Sequence, residues 1–205
     1  IVVVLVAGAA IGWWLSPGFL TVVLLYLATT LSYSFYFKHI VILDVMVLAS
    51  GFLWRAAGGA VAIGVTISPW LLLCTAFFAL FLGFNKRRGE LLKLGAGGTR
   101  RNLEHYSREM LVELQAIVTA SVVICYALYT VQGGNSWMVL TIPFVLYGVF
   151  RYIYLVDRGG GDAPDELVFS DWPFLLNGAL YGLVAILVIV GDKQGLLPPL
   201  LLDGS

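Results

Sequence analysis

Asn85-Lys86-Arg87-Arg88-Gly89-Glu90 places four charged side chains in six residues, directly after a long apolar run. Three adjacent cations suit phosphate oxygens: each guanidinium offers a forked pair of hydrogen bonds and the ammonium a compact point charge. The same run also serves as the topological anchor of a polar segment, and the residues alone leave both readings open. Glu90 is placed either to reach a divalent cation or to orient an arginine. The stretch Leu94-Gly95-Ala96-Gly97-Gly98-Thr99-Arg100-Arg101 has glycines and cations but lacks the Lys-Ser/Thr ending of a phosphate-binding loop, so it reads as a flexible tether.

Further candidates lie in flanking segments. Asp44 and Arg55 are eleven residues apart, about three helical turns, which brings them to nearly the same face. A guanidinium at membrane depth is costly, so Arg55 is expected to face a polar cavity or a partner, as a buried ion pair, a snorkelling side chain or a cavity wall meeting an anion. Tyr147, Arg151, Tyr154 and Arg158 recur at spacings of four, three and four, one helical stripe that reads as a pocket wall ending beside Asp157. The acidic loop Gly159-Gly160-Gly161-Asp162-Ala163-Pro164-Asp165-Glu166 suits a hard cation or a solvated connector. Lys38, Arg55, Lys86, Arg87, Arg88, Arg151 and Tyr154 are thus the substrate-binding candidates, and Glu90, Asp157 and Asp165 the metal candidates. His39 and His105 lack a second His or a Cys at ligand spacing, and Cys74 and Cys125 sit singly in apolar runs as packing residues.

The elements that must position these side chains are membrane helices. Of 205 residues, 60% are hydrophobic and 12% charged, too apolar for a water-soluble domain. A zero formal net charge argues against a nucleic-acid partner. Apolar runs between breakers predict one all-α, polytopic transmembrane domain with helices near 1–15, 18–34, 41–64, 69–84, 109–131, 138–156 and 173–190. Alternating the sides puts the segments near Lys38, 85–108 and 157–172 on one face. Of the twelve Lys and Arg, Lys193 alone falls among the opposite connections. The positive-inside rule makes the first face cytoplasmic, and Trp13, Trp14, Trp70 and Trp137 near the other helix ends agree with it. Ile1 opens an apolar run without a basic leader, so upstream sequence is expected to be missing.

The stretch YSFYFKHIVILDVMVLASGFLWRAAGGAVAIG from Tyr33, the SPWLLLC run from Ser68, FNKRRGEL from Phe84, HYSREML from His105 and IPFVLYGVFRYIYLVDRGGGDAPDEL from Ile142 resemble the UbiA superfamily of intramembrane prenyltransferases. Within it, they resemble the branch that transfers phosphoribosyl groups. The resemblance implies a nine-helix bundle around a cavity open to lipid, of which seven helices are expected here. The family's first Asp-rich motif, which supplies catalytic residues, would then lie upstream of Ile1. Most members carry a second Asp-rich motif where this sequence has Lys86, Arg87, Arg88 and Glu90, a departure that disfavours an ordinary prenyl diphosphate donor and suits an anionic sugar.

The reaction implied converts 5-phosphoribosyl 1-diphosphate and decaprenyl (polyprenyl) phosphate to decaprenylphosphoryl-5-phosphoribose and diphosphate, for cell-wall arabinan synthesis. It implies Mg2+ or Mn2+ as cofactor and a multi-pass place in the bacterial plasma membrane, with the active site on its cytoplasmic face. A homo-oligomer is left open. The alternatives are a conventional prenyltransferase with a prenyl diphosphate donor, and a small-molecule transporter using Arg55 and Arg151 along its path, although no internal repeat supports the latter.

Overall fold

The computed structural model describes residues 16–94, 105–132, 136–160 and 169–197. The predicted first helix, most of the glycine tether and the acidic loop carrying Asp162, Asp165 and Glu166 lie outside the described residues. Within them there are six long α-helices and no strand: α1 Pro17–Phe35, α2 Leu43–Ile63, α3 Pro69–Leu94, α4 Arg108–Gln132, α5 Ile142–Leu155 and α6 Trp172–Lys193. Six helical segments are long and apolar enough to cross a membrane. The chain is therefore an all-α, multi-pass membrane protein.

Local chemistry sets the helix ends. Ser16 caps α1 by accepting from the Phe19 N–H at 3.0 Å, with Pro17 at the first helical position. Asp171 caps α6 in the same way through Phe174 N–H at 2.9 Å. Gly64, at φ 68°, ends α2 in the left-handed conformation that a side chain would resist. A 3-10 turn, Ser136–Thr141, leads into α5, and the π-helical turn Val156–Gly160 follows it, so the predicted helix over 138–156 is resolved into three pieces.

The main correction concerns α3, which does not stop near residue 84 but continues to Leu94. The switch from apolar to charged residues marks a change of solvent, not the end of a helix. Lys, Arg, Glu and Leu are all good helix formers, and only Gly89 interrupts them. At 1.5 Å per residue, α3 is about 39 Å long, longer than the roughly 30 Å hydrocarbon core. Its basic last turns therefore stand at and beyond the membrane boundary as an ordered helix.

The core lies where α2, α3, α4 and α5 meet, around Val45, Phe81, Phe84, Leu111, Val118, Val122, Val149 and Tyr152. α3 packs most extensively on α4 and also on α2, while α1 leans on α2 and α6 on α5. Antiparallel neighbours bring Asp44, Arg87, Tyr106, Gln115 and Asp157 together at one end. At the opposite end, the Trp70 indole donates to Gln132 Oε1. Large side chains such as Leu183, Ile186 and Leu187 on α6 stay exposed, as a lipid-facing surface requires.

Candidate functional site

Successive residues of a helix point about 100° apart, so Lys86, Arg87 and Arg88 cannot converge on one ligand. The structure sends each in a different direction, which corrects the expectation of a single three-cation site. Arg87, 5% exposed, turns to α2. Its Nε donates to Asp44 Oδ2 at 3.0 Å and its Nη1 to Glu90 Oε2 at 2.8 Å. Of the two roles open to Glu90, the geometry displays arginine orientation. Arg88 turns to α4 and α5, donating from Nη1 to Gln115 Oε1 at 2.8 Å and from Nη2 to Asp157 Oδ1 at 2.5 Å. Lys86 turns toward α1 and α2.

Asp44 is the hub of the Arg87 network. Its Oδ1 accepts from the Tyr106 hydroxyl at 2.7 Å, and that hydroxyl in turn accepts from the Ile42 N–H at 2.6 Å. Ile42 has φ 68° and ψ −48°, and the Leu43 N–H reaches back to the Val41 carbonyl at 2.8 Å. This is the positive-φ γ-turn, strained for a β-branched residue and tolerated only where surrounding contacts over-determine it. Burial, reinforced by hydrogen bonding to Asp44, pushes the Tyr106 phenol above its ordinary pKa. It therefore stays a donor to the carboxylate. Asp44 does not pair with Arg55: both are on α2, but eleven residues of helix set them about 16 Å apart along its axis, and Asp44 is bound instead by Arg87 and Tyr106.

Arg55 and Lys86 meet instead around a cavity of about 340 Å³ between α1, α2 and α3. Tyr26, Thr29, Thr30 and Tyr33 line one wall, with Gly51 and Phe52 opposite. The Arg55 Nη2 donates to the Tyr26 hydroxyl at 2.9 Å, and the guanidinium lies 5.5 Å from the Tyr26 ring and 5.4 Å from that of Phe52. These contacts offset part of the cost of a cation at membrane depth. Trp54 holds α1 to α2 from the adjacent face by donating to Thr29 Oγ1 at 3.1 Å. Two cations, four hydroxyl-bearing side chains and a rim of exposed Leu48 and Phe52 make a cavity able to receive a phosphorylated polar molecule beside lipid.

The remaining candidates fall elsewhere. Arg151 forms a two-point pair with Asp171, Nε to Oδ1 at 3.0 Å and Nη2 to Oδ2 at 2.7 Å, tying α5 to the cap of α6. This hydrogen bonding to Arg151 holds the Asp171 carboxyl below its ordinary pKa. Tyr154 lies between guanidinium groups, 5.1 Å from Arg151 and 4.6 Å from Arg158. Of the stripe expected to form a pocket wall, Arg151 thus clamps α5 to α6, and Tyr154 and Arg158 stack beside it. Lys38 is exposed in the 3-10 turn Phe37–His39. Among the described residues no three carboxylate, His or Cys side chains converge as metal ligands. Glu90 and Asp157 face different arginines, and Asp165 lies outside the described residues.

Tyr106, Tyr26 and Gln115 were not among the sequence-based candidates. Each acts on a residue from another helix, 62, 29 and 27 positions away respectively, a separation no local spacing reveals.

Comparison with known proteins agrees with the blocks quoted above. The chain is 33% identical over 181 residues to a decaprenyl-phosphate phosphoribosyltransferase of Mycolicibacterium smegmatis, covering 81% of this chain and 57% of that protein. It is 34% identical over 174 residues to the protein of that name from Corynebacterium glutamicum, covering 76% and 52%. Over most of its own length this chain is similar to decaprenyl-phosphate phosphoribosyltransferases. The protein of that name from Mycobacterium tuberculosis matches at 34% over 176 residues, 83% of this chain and 58% of its own length. The chain thus spans a little over half the length of these curated relatives. No family model matches it.

Proposed function

We propose that the protein containing this chain transfers the phosphoribosyl group of 5-phosphoribosyl 1-diphosphate to decaprenyl phosphate at the cytoplasmic face of the bacterial plasma membrane. The observation that carries the proposal is the pairing of Arg55 and Lys86 across one hydroxyl-lined cavity beside lipid, in a chain whose relatives bear that activity in their names. The two cations would neutralise phosphate charge on the sugar donor, and Tyr26, Tyr33, Thr29 and Thr30 would meet its hydroxyls. Arg87 is a positioning residue, held by Asp44 and Glu90, and keeps the helix turn that presents Lys86 in place.

In the reaction, an oxygen of the lipid phosphate bonds to the ribose C1 while the bond from C1 to the diphosphate breaks, and diphosphate leaves with the electron pair. The nucleophile is already anionic, so no strong general base is required. Acceleration would come from positioning and from charge preorganised against the leaving group. Mg2+ or Mn2+ belongs to the proposal as a companion of the diphosphate, with no described residue assigned to hold it.

The test is transfer of radiolabelled phosphoribosyl to a lipid-extractable product by the full-length protein in vesicles supplied with decaprenyl phosphate. Lys86→Gln and Arg55→Lys each remove a charge-assisted contact worth about 1.5–3 kcal/mol, so each is expected to raise the donor KM or lower kcat by about ten- to hundred-fold. Phosphoribosyl label that stays water-soluble, together with transfer of a separately labelled prenyl group from its diphosphate to an acceptor with release of diphosphate, would establish the conventional prenyltransferase reading instead.

A further inference from the structure

The cavity between α1, α2 and α3 has two ends at different depths. Gly83 of α3 lies against Val45 of α2, so Lys86, three residues further on, stands level with the start of α2 at the membrane boundary. Arg55 comes ten residues after Val45, about 15 Å deeper along the α2 axis. Helical side chains lean toward the N-terminus of their own helix. Because α2 and α3 are antiparallel, Arg55 leans back toward the boundary and Lys86 leans inward, both into the cavity they line. The Arg55 guanidinium accordingly lies over the Phe52 ring one turn back and donates to the Tyr26 hydroxyl at 2.9 Å. Among the described residues no carboxylate lines the cavity, and Asp44, on the same helix, is bound by Arg87 and Tyr106. Arg55 thus brings a positive charge, unbalanced by any described lining residue, to the deep end of a polar cavity.

We infer that Arg55, oriented by Tyr26, forms the subsite for the 5-phosphate of the sugar donor, the end of that molecule that does not react. The inference rests on the donor proposed above. In that reaction the nucleophile is a lipid phosphate, which stays at the membrane boundary because taking its charge into hydrocarbon is costly. The ribose C1 that it attacks, and the diphosphate that leaves, are then held at the Lys86 end. With C1 placed there, the opposite end of the donor points down the cavity to Arg55.

Charge agrees with this placement. A phosphate monoester carries about −1.5 to −2 charges at pH 7, and the fork of a guanidinium suits its oxygens. No carboxylate among the described lining residues repels it. A ribose that ends in an uncharged hydroxymethyl group would leave the Arg55 charge unmatched at membrane depth. Binding energy gathered at this remote end is available to hold C1 against the nucleophile, so its loss lowers turnover as well as affinity.

The test compares two donors labelled in the ribose, 5-phosphoribosyl 1-diphosphate and ribosyl 1-diphosphate, with the full-length protein in vesicles containing decaprenyl phosphate. Transfer to the lipid-extractable fraction gives kcat/KM for each, and their ratio measures what the 5-phosphate contributes. The parent should prefer the phosphorylated donor by about a hundredfold, and Arg55→Gln should lower that preference by about tenfold or more. Tyr26→Phe, which removes the phenol that orients the guanidinium, should lower it by a smaller factor. Lys86→Gln, at the reacting end, should slow both donors and leave their ratio within about twofold. Both donors are read in the same preparation, so an unfolded fraction cancels from the ratio. An Arg55→Gln preference equal to the parent's would overturn the subsite, while transfer by the parent would leave the proposed activity standing. A preference that falls with Lys86→Gln and not with Arg55→Gln would put the 5-phosphate at the boundary and overturn it equally. A parent that transfers neither donor would overturn the proposed activity, and the subsite with it.

Discussion

The buried group most exposed to failure is Arg87, whose charge is balanced by two carboxylates at 3.0 and 2.8 Å. Breaking a buried ion pair by removing one partner typically costs about 3–5 kcal/mol, because the other charge is left in low dielectric. Asp44→Asn leaves Arg87 paired with Glu90 and should therefore cost less than that, about 1–3 kcal/mol. Tyr106→Phe deletes one oxygen yet strands two groups, the Ile42 N–H and Asp44 Oδ1, and should cost about 1–3 kcal/mol. Since Tyr106 acts partly through Asp44, the double variant should lose less than the sum of the two. Denaturant unfolding of the purified protein in micelles measures all three. A Tyr106→Phe variant as stable as the parent would mean that the γ-turn at Ile42 holds itself without the phenol. These partners were illegible in sequence for a plain reason: helical periodicity pairs residues three and four apart, while Asp44 meets Arg87 and Tyr106 across three separate segments.

Between elements, α2 and α3 approach closely at Gly83. A Cβ built there would stand 2.5 Å from Val45 Cγ1, and Val45 is fully buried. A β-branched side chain has few rotamers with which to yield. Gly83→Ala should cost about 1–3 kcal/mol by overpacking, and because Gly83 also lines the Arg55–Lys86 cavity, the same change should lower activity. Val45→Ala in the Gly83→Ala background opens the space and should restore part of the stability, as read from the thermal midpoint. A Gly83→Ala variant no less stable than the parent would show that the helices sit further apart. Helix positions were legible from apolar runs and breakers because bilayer thickness fixes the length of a spanning segment. The end of α3 was not, since the sequence change at Asn85 records where the lipid stops and the helix continues through it. The same continuation turned an expected loop cluster, Lys86 to Arg88, into three side chains facing three ways.

For the whole molecule, the alternation of six spans gathers nearly all charge at one end, and charge is what orients a chain in a membrane. Lys86, Arg87, Arg88, Arg108 and Arg158 all lie at the end where α3 finishes and α4 begins, whereas Lys193 closes α6 at the other. Moving the basic end to the outer face would require carrying these side chains through hydrocarbon, at a cost per residue contested but no smaller than about 2.5 kcal/mol. The proposal that donor chemistry occurs at the cytoplasmic face therefore stands or falls with orientation, independently of which substrate is used. Single cysteines resolve it. Cys74 and Cys125 lie inside spans, half-buried and buried, and their thiols are screened from a charged maleimide. Gln194→Cys, in the exposed turn after α6, should be labelled by that reagent in intact cells. Lys38→Cys, in the exposed 3-10 turn Phe37–His39, should be labelled only after permeabilisation. The reverse pattern would place Arg55 and Lys86 on an access route from outside, and a water-soluble sugar diphosphate made in the cytoplasm could not be their ligand.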